Sequence, residues 1–243
     1  MEILYNIVNK RINDGAKITD IINILTKQPS AMVATIERRA LLFMASKILS
    51  NDIWAKMVLA NGLDKIKKAP GLHKLIDAHQ KKFFWVTRDY EDPILSYENV
   101  VEKLKLVLQN DARKELTDLD KKLKDSLSER KYWEKELKLN KKELALFSAM
   151  RSAAHLKEQR KKFVSQSLYY FDPVLAEIGK RLYLSIKQVR FLRTKDSFEA
   201  LVKGKDLSQD MNDRFKLSVW QCSGKNTKVT TGIKAQELFA EFC

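Results

Sequence analysis

Glycine and proline are scarce in this chain, with 7 Gly and 4 Pro in 243 residues. Globular chains average about 12% of the two together. The turns of a sheet-rich fold draw heavily on these residues. The shortage therefore argues against a sandwich, a barrel or a doubly wound nucleotide-binding domain, and for long helices. Cysteine is scarcer still: Cys222 and Cys243 build neither a disulfide framework nor a metal knuckle. A reducing, cytoplasmic setting is the default expectation. The three histidines are His73, His79 and His155. The first two are not spaced as paired ligands on one helical face, so no metal site is expected. No apolar run approaches the roughly 20 positions that a membrane span needs. The first residues, with acidic Glu2, do not read as a secretory signal. Gly204-Lys205 and Gly224-Lys225 lack the upstream glycine and the following hydroxyl residue of a phosphate loop. No Gly-x-Ser-x-Gly elbow anchors a hydrolase triad. As a stand-alone catalyst the chain offers little, and no catalytic residue is assigned.

What is abundant is positive charge. There are 46 Lys+Arg against 31 Asp+Glu, a net charge of +15. Such a surface attracts phosphates. It serves equally as a solvated helix face or as one side of a charged interface. Hydrophobic residues make up 44% of the chain, enough for a core. The length suits one large or two small domains.

Apolar spacing gives a mostly α fold: a helical bundle with a long antiparallel helical hairpin and a small C-terminal β-hairpin plus helix. Residues 1–95 read as a compact set of short helices, ending on Phe83-Phe84-Trp85 and an irregular stretch around Asp92-Pro93. Residues 96–173 hold the long hairpin. Its first arm carries Leu116, Leu119, Leu123, Leu127, Trp133 and Leu137 on a narrow coiled-coil-like stripe, interrupted by Arg130. A break near Asn140 leads to the second arm, which Asp172-Pro173 is expected to end or kink. Residues 103–162 contain 18 Lys+Arg and 10 Asp+Glu, so this region carries +8 (18 − 10). Residues 174–243 form a small α+β region with short helices, a hairpin over 217–231 and a last helix over 233–242.

Two constellations stand out. The run from His79 through Lys81, Lys82 and Phe83-Phe84 to Trp85, followed by Arg88-Asp89-Tyr90, puts aromatic, cationic and imidazole groups at a helix end and in the loop after it, where function tends to sit. The other reading is a core plug of Phe83, Phe84 and Trp85 with His79 satisfied by a neighbour. On the second arm, Arg151, His155, Glu158 and Lys162 follow at spacings of four, three and four, one helical face. Lys157, Arg160 and Lys161 flank them, and guanidinium forks take phosphate or carboxylate. The other reading is a solvated face with charge pairs.

Residues 74–110 contain His79, Lys81, Lys82 and Trp85, then Asp89-Tyr90 and Pro93. Residues 147–205 contain Arg151, Lys157 and Arg160, then Leu175-x-Glu177-Ile178-x-x-Arg181-Leu182, then Leu184-Ser185 before Phe191-Leu192 and Gly204-Lys205. These stretches resemble the helical connecting segment of phosphoenolpyruvate-utilising enzymes, a family that includes phosphoenolpyruvate synthase, pyruvate phosphate dikinase and rifampicin phosphotransferase-like proteins. The hairpin and the Thr231-Gly232 turn fit the segment that follows. The resemblance implies a module between an ATP-grasp domain and a swinging phosphohistidine domain, with ATP and Mg belonging to the parent enzyme and no cofactor in this chain. It also implies that Arg151, Lys157 and Arg160 face a phosphorylated or carboxylate ligand or an acidic partner domain. The rival reading from charge is a basic helical nucleic-acid-binding protein with salt-dependent affinity. Against it, acids alternate with bases along the hairpin, whereas a groove binder segregates them.

Overall fold

A computed structural model describes residues 2–12, 14–28, 32–60, 62–88, 93–224 and 226–242. It divides into two compact units, Met1–Gln166 and Ser167–Cys243. Among the described residues 76% helical structure is accompanied by one two-stranded sheet.

The first unit holds α1 (Glu2–Asn9), α2 (Gly15–Thr26), α3 (Val33–Ile48), α4 (Asp52–Leu59), α5 (Leu63–Lys67), α6 (Pro70–Phe83), α7 (Tyr97–Gln109), α8 (Ala112–Glu136) and the start of α9 (Lys141–Leu182). Helix starts follow side-chain chemistry. Asp14, Asn51, Ser96 and Asp111 each accept a hydrogen bond from a backbone N–H of the first turn. That satisfies donors which the helix itself leaves without partners.

Two cores result. In one, Leu41, Leu42 and Ile48 of α3 meet Leu72 and Ile76 of α6 and Val100 and Leu104 of α7. In the other, Leu4 and Val8 of α1 and Ile18, Ile21 and Leu25 of α2 meet Leu137, Leu139 and Phe147 at the join of α8 and α9. The expected boundary near residue 95 falls inside the first core, because Leu95 and α7 are buried against α3 and α6. The stripe on α8 also differs from a coiled-coil seam. Leu116 and Leu119 pack on the first core and Trp133 and Leu137 in the second, while Leu127 is exposed. Helix α8 thus spends its apolar side chains on α3 and α2. Arg38–Glu115 and Arg39–Asp120 pairs, each at 2.6 Å, join α3 to α8.

The second unit holds the end of α9, α10 (Ile186–Val189), α11 (Thr194–Lys203), α12 (Ser208–Lys216), β1 (Ser218–Ser223), β2 (Asn226–Thr231) and α13 (Gly232–Phe242). Pro173 neither ends nor separates a helix: α9 runs through it to Leu182. The expected boundary at 173/174 therefore lies within a helix. Leu175, Ile178 and Leu182 pack on a core of Leu184, Val189, Ala200, Leu207 and Met211. The Leu184 N–H returns to the Gly179 carbonyl at 2.8 Å. A Cβ at Gly179 would stand 2.4 Å from the Leu184 carbonyl oxygen, so only glycine admits this close return. Gly204, at φ +69°, ends α11 in the left-handed region. Strands β1 and β2 pair antiparallel, with Ser218 opposite Thr231 and Ser223 opposite Asn226.

Asp196 and Arg214 are buried at the centre of this unit. Asp196 accepts from Arg193 and Arg214, and Arg214 also reaches Asp210 and the Phe191 carbonyl. Burial works against the Asp196 charge, but hydrogen bonds from Arg193 and Arg214 outweigh it and hold its carboxyl well below the usual carboxylate range.

Candidate functional site

The first constellation resolves into a buried network. His79 comes from α6 and Glu37 from the apolar stretch of α3; both are buried. His79 Nε2 lies 3.3 Å from Glu37 Oε1, and Lys103 of α7 donates to the same oxygen at 3.3 Å. The His79 ring stacks obliquely on Phe83, centroids 4.8 Å apart. Burial pushes the Glu37 pKa up. The hydrogen bond to His79 and the Lys103 ammonium together outweigh it and leave the carboxyl below its ordinary value. Trp85 is buried, and its indole N–H donates to the Lys82 carbonyl at 3.2 Å. Tyr90 lies outside the described residues. His79 and Trp85 thus take the core reading: His79 Nε2 and the Trp85 indole N–H each meet an internal partner, as burial demands. His73, the other histidine of α6, pairs its Nδ1 with the Tyr97 hydroxyl at 3.1 Å.

The second constellation lies along α9. Its inner face is set by residues seven apart, about two turns. Arg151 donates to the Leu25 carbonyl in the last turn of α2 at 2.7 Å. Glu158 accepts from the N–H of Val33, the first residue of α3, at 3.4 Å. Ser165 is buried and donates to the Arg88 carbonyl at 3.0 Å. The electrostatics match the helix ends. A cation sits at the carbonyl end of α2 and an anion at the amide end of α3, each where the helix dipole favours it. Arg151 also stands 3.7 Å from Glu134, which Arg130 shares at the same distance. Burial lowers the Arg151 pKa, Arg130 lowers it further, and Glu134 opposes both.

A cleft of about 270 Å³ opens beside this staple, lined by Thr26, Lys27, Gln28, Met32, Ala154, His155, Lys157 and Glu158. His155 and Lys157 are exposed there. The cleft offers one imidazole, two ammonium groups and one carboxylate already used at the N-terminus of α3. Its chemistry is that of a shallow anion-accepting surface.

The structure does not gather Arg151, Lys157 and Arg160 into one site. With about 100° per residue, Arg160 points opposite to Arg151, and Lys157 stands between the cleft and the outer face. Arg151 is committed to Leu25 and Glu134, so its position among Phe147, Met150 and Ala154 has a structural cause. Glu37 and Lys103 were invisible as partners of His79, because they lie far apart in sequence. The available signal was a lone acid within the apolar turns of α3.

Among the described residues no group of three His, Cys, Asp or Glu side chains is arranged to hold a metal ion. No helix among them is long and apolar enough to cross a membrane. Compared with protein-family models, with curated proteins and with solved structures, the chain matches none of them.

Proposed function

We propose that this chain is a helical connecting module of a phosphoenolpyruvate-synthase-like phosphotransferase, joining an ATP-grasp domain to a swinging phosphohistidine domain and not catalytic alone. The observation that supports the reading is where the family-like residues of the second unit fall: apart from the exposed Glu177–Arg181 pair, they lie on its core or at the ends of its helices. Leu175, Ile178 and Leu182 pack on its core. Leu184 is buried, and Ser185 begins α10 through a capping box with Gln188. Phe191 and Leu192 pack on the same core. Gly204-Lys205 closes α11, with the Lys205 N–H on the Glu199 carbonyl at 3.1 Å. Thr231-Gly232 turns β2 into α13. A signature built mostly of core positions and helix ends specifies an architecture, which is what a connecting module would need.

ATP and Mg enter through the parent enzyme only. The Gly204-Lys205 pair of this chain sits at the carbonyl end of α11, where the helix dipole repels phosphate. No step of ATP chemistry is assigned to these residues.

The test is reconstitution. The full chain is mixed with separately purified ATP-grasp and phosphohistidine domains of a phosphoenolpyruvate synthase. Association with those domains and no turnover by the chain alone are expected. No association, or robust turnover by the chain alone, overturns the reading. The nucleic-acid reading is checked by gel shift on duplex and single strands at about 50 and 200 mM salt. It is disfavoured because Arg11, Arg38 and Arg39 are taken up by Glu143, Glu115 and Asp120.

A further inference from the structure

Helix α9 breaks the usual rule for a surface helix, that the apolar stripe faces the core and the charged face meets water. Its first turns pack Leu144 and Phe147 on the second core, but from residue 151 to 165 the inner face is held by polar groups, with Arg151, Glu158 and Ser165 each holding a backbone partner. Its outer face is the apolar one. Leu156 is 66% exposed and Phe163 60% exposed, with Leu146 and Val164 also open. Ala145, Ala149 and Ala153 are exposed and continue the same stripe towards the helix start.

Helical geometry places these together. Leu156, Phe163 and Val164 are four before, three after and four after Arg160, hence its immediate neighbours on one face. Lys142 precedes Arg160 by about five turns and Leu146 precedes Val164 by the same, so the face is continuous over about 33 Å. The only charges on it are the cations Lys142 and Arg160, with Lys157 at its edge. None of the three has an ion-pair partner among the described residues. The two acids of this stretch are used elsewhere: Glu143 pairs with Arg11 at 2.9 Å, and Glu158 holds the Val33 N–H.

We propose that the outer face of α9, residues 142–164, is a docking surface for an amphipathic helix whose apolar stripe is flanked by carboxylates. The occupant follows from the charge pattern. A second copy would set Lys142 and Arg160 against the same cations, and like charges across an interface are costly. Nucleic acid needs dense cations, whereas here apolar side chains separate them. An anionic membrane is gripped by large apolar wedges, and three of the seven apolar residues of this stripe are alanine. Small residues instead let a second helix approach closely. Leu156 and Phe163 are the anchors and the cations are the rim that selects acidic partners. The inference stands without the phosphotransferase reading.

The test uses the full chain and three designed helical peptides, about five turns long, that share one leucine stripe. Their flanking positions are all Glu, all Gln or all Lys. Binding is read by fluorescence anisotropy at moderate salt. The Glu peptide should bind best and the Lys peptide about tenfold more weakly, the factor that two or three rim ion pairs supply. Arg160→Glu should narrow that difference, and Arg160→Glu with Lys142→Glu should reverse it. Leu156→Ser with Phe163→Ser should abolish binding of all three, with an unchanged circular dichroism spectrum, since both side chains are exposed. No binding of the Glu peptide, or indifference to the flanking charge, overturns the proposal. So does tighter binding to phosphatidylserine vesicles or duplex DNA, or a wild-type dimer in sedimentation that the double variant makes monomeric.

Discussion

Asp196→Asn removes one charge and almost no volume from the centre of the second unit. The carboxylate accepts from the Arg193 backbone N–H at 3.0 Å, from Arg193 Nε and Nη2 at 2.8 Å each, and from Arg214 Nη1. The side chains of Asp196 and Arg214 are 8% and 4% exposed, so water replaces little of what is lost. Stranding one member of a buried pair costs about 3–5 kcal/mol. Arg214 keeps Asp210, whose side chain is 44% exposed and compensates in part. The lower end, about 3 kcal/mol, is therefore expected. For a unit of this size that is about 12–24 °C in melting midpoint. The sign with pH follows from the depressed carboxyl. Its stabilisation is present in full above the unfolded value near pH 4 and is lost as pH falls towards the folded value. The cost of Asp196→Asn should be largest near neutrality and shrink below about pH 4. Trp220 is the sole tryptophan of residues 167–243. Its fluorotryptophan resonance, followed through thermal unfolding of the full chain, reports this unit. A midpoint shift below about 4 °C, or one that does not shrink in acid, refutes the reasoning.

Further predictions rest on other contacts. Gly179→Ala should destabilise the second unit despite a helix-propensity gain of about 1 kcal/mol, because its Cβ meets the Leu184 carbonyl oxygen at 2.4 Å; a raised midpoint for Trp220 would contradict this. Arg151→Ala should cost about 1–3 kcal/mol and speed amide exchange in the last turn of α2, while Arg160→Ala should do neither. His79→Leu should strand the Glu37 carboxylate with Lys103 alone and cost about 1–3 kcal/mol. Because the Glu37 pKa is lowered in the folded chain, the network's contribution holds above the unfolded glutamate value and fades as pH falls below it; chemical unfolding at pH 7 and pH 4 checks both points.

The parts legible in the sequence are those fixed by local rules. The mostly helical class followed from few breakers and from apolar spacing. The 217–231 hairpin followed from alternation, and the last helix from the apolar spacing after it. The parts that were not legible depend on tertiary partners. Pro173 reads as a helix end, yet α9 continues through it and packs Leu175, Ile178 and Leu182 on the second core. The boundary near 95 looked natural because Asp92-Pro93 reads as a turn signal, but Leu95 and α7 complete the core begun by α3. Arg151 and Arg160 look alike in a charged helix. One is an internal staple and the other faces outward, and only the position of α2 distinguishes them. The Glu37–His79–Lys103 and Arg193–Asp196–Arg214 networks join residues whose separations carry no periodic signal, apart from the three- and four-residue spacings of Arg193–Asp196 and Asp210–Arg214.

The most direct measurement is phosphate mapping on the full chain. The protein is incubated with labelled ATP or phosphoenolpyruvate and Mg, digested under alkaline conditions that preserve phosphohistidine, and read by mass spectrometry. With His79 sealed between Glu37 and Phe83, and His73 held by Tyr97, no label should reach His73, His79 or His155 above the level of heat-denatured protein. Stoichiometric label on any of the three would show a reaction centre within this chain and contradict the account.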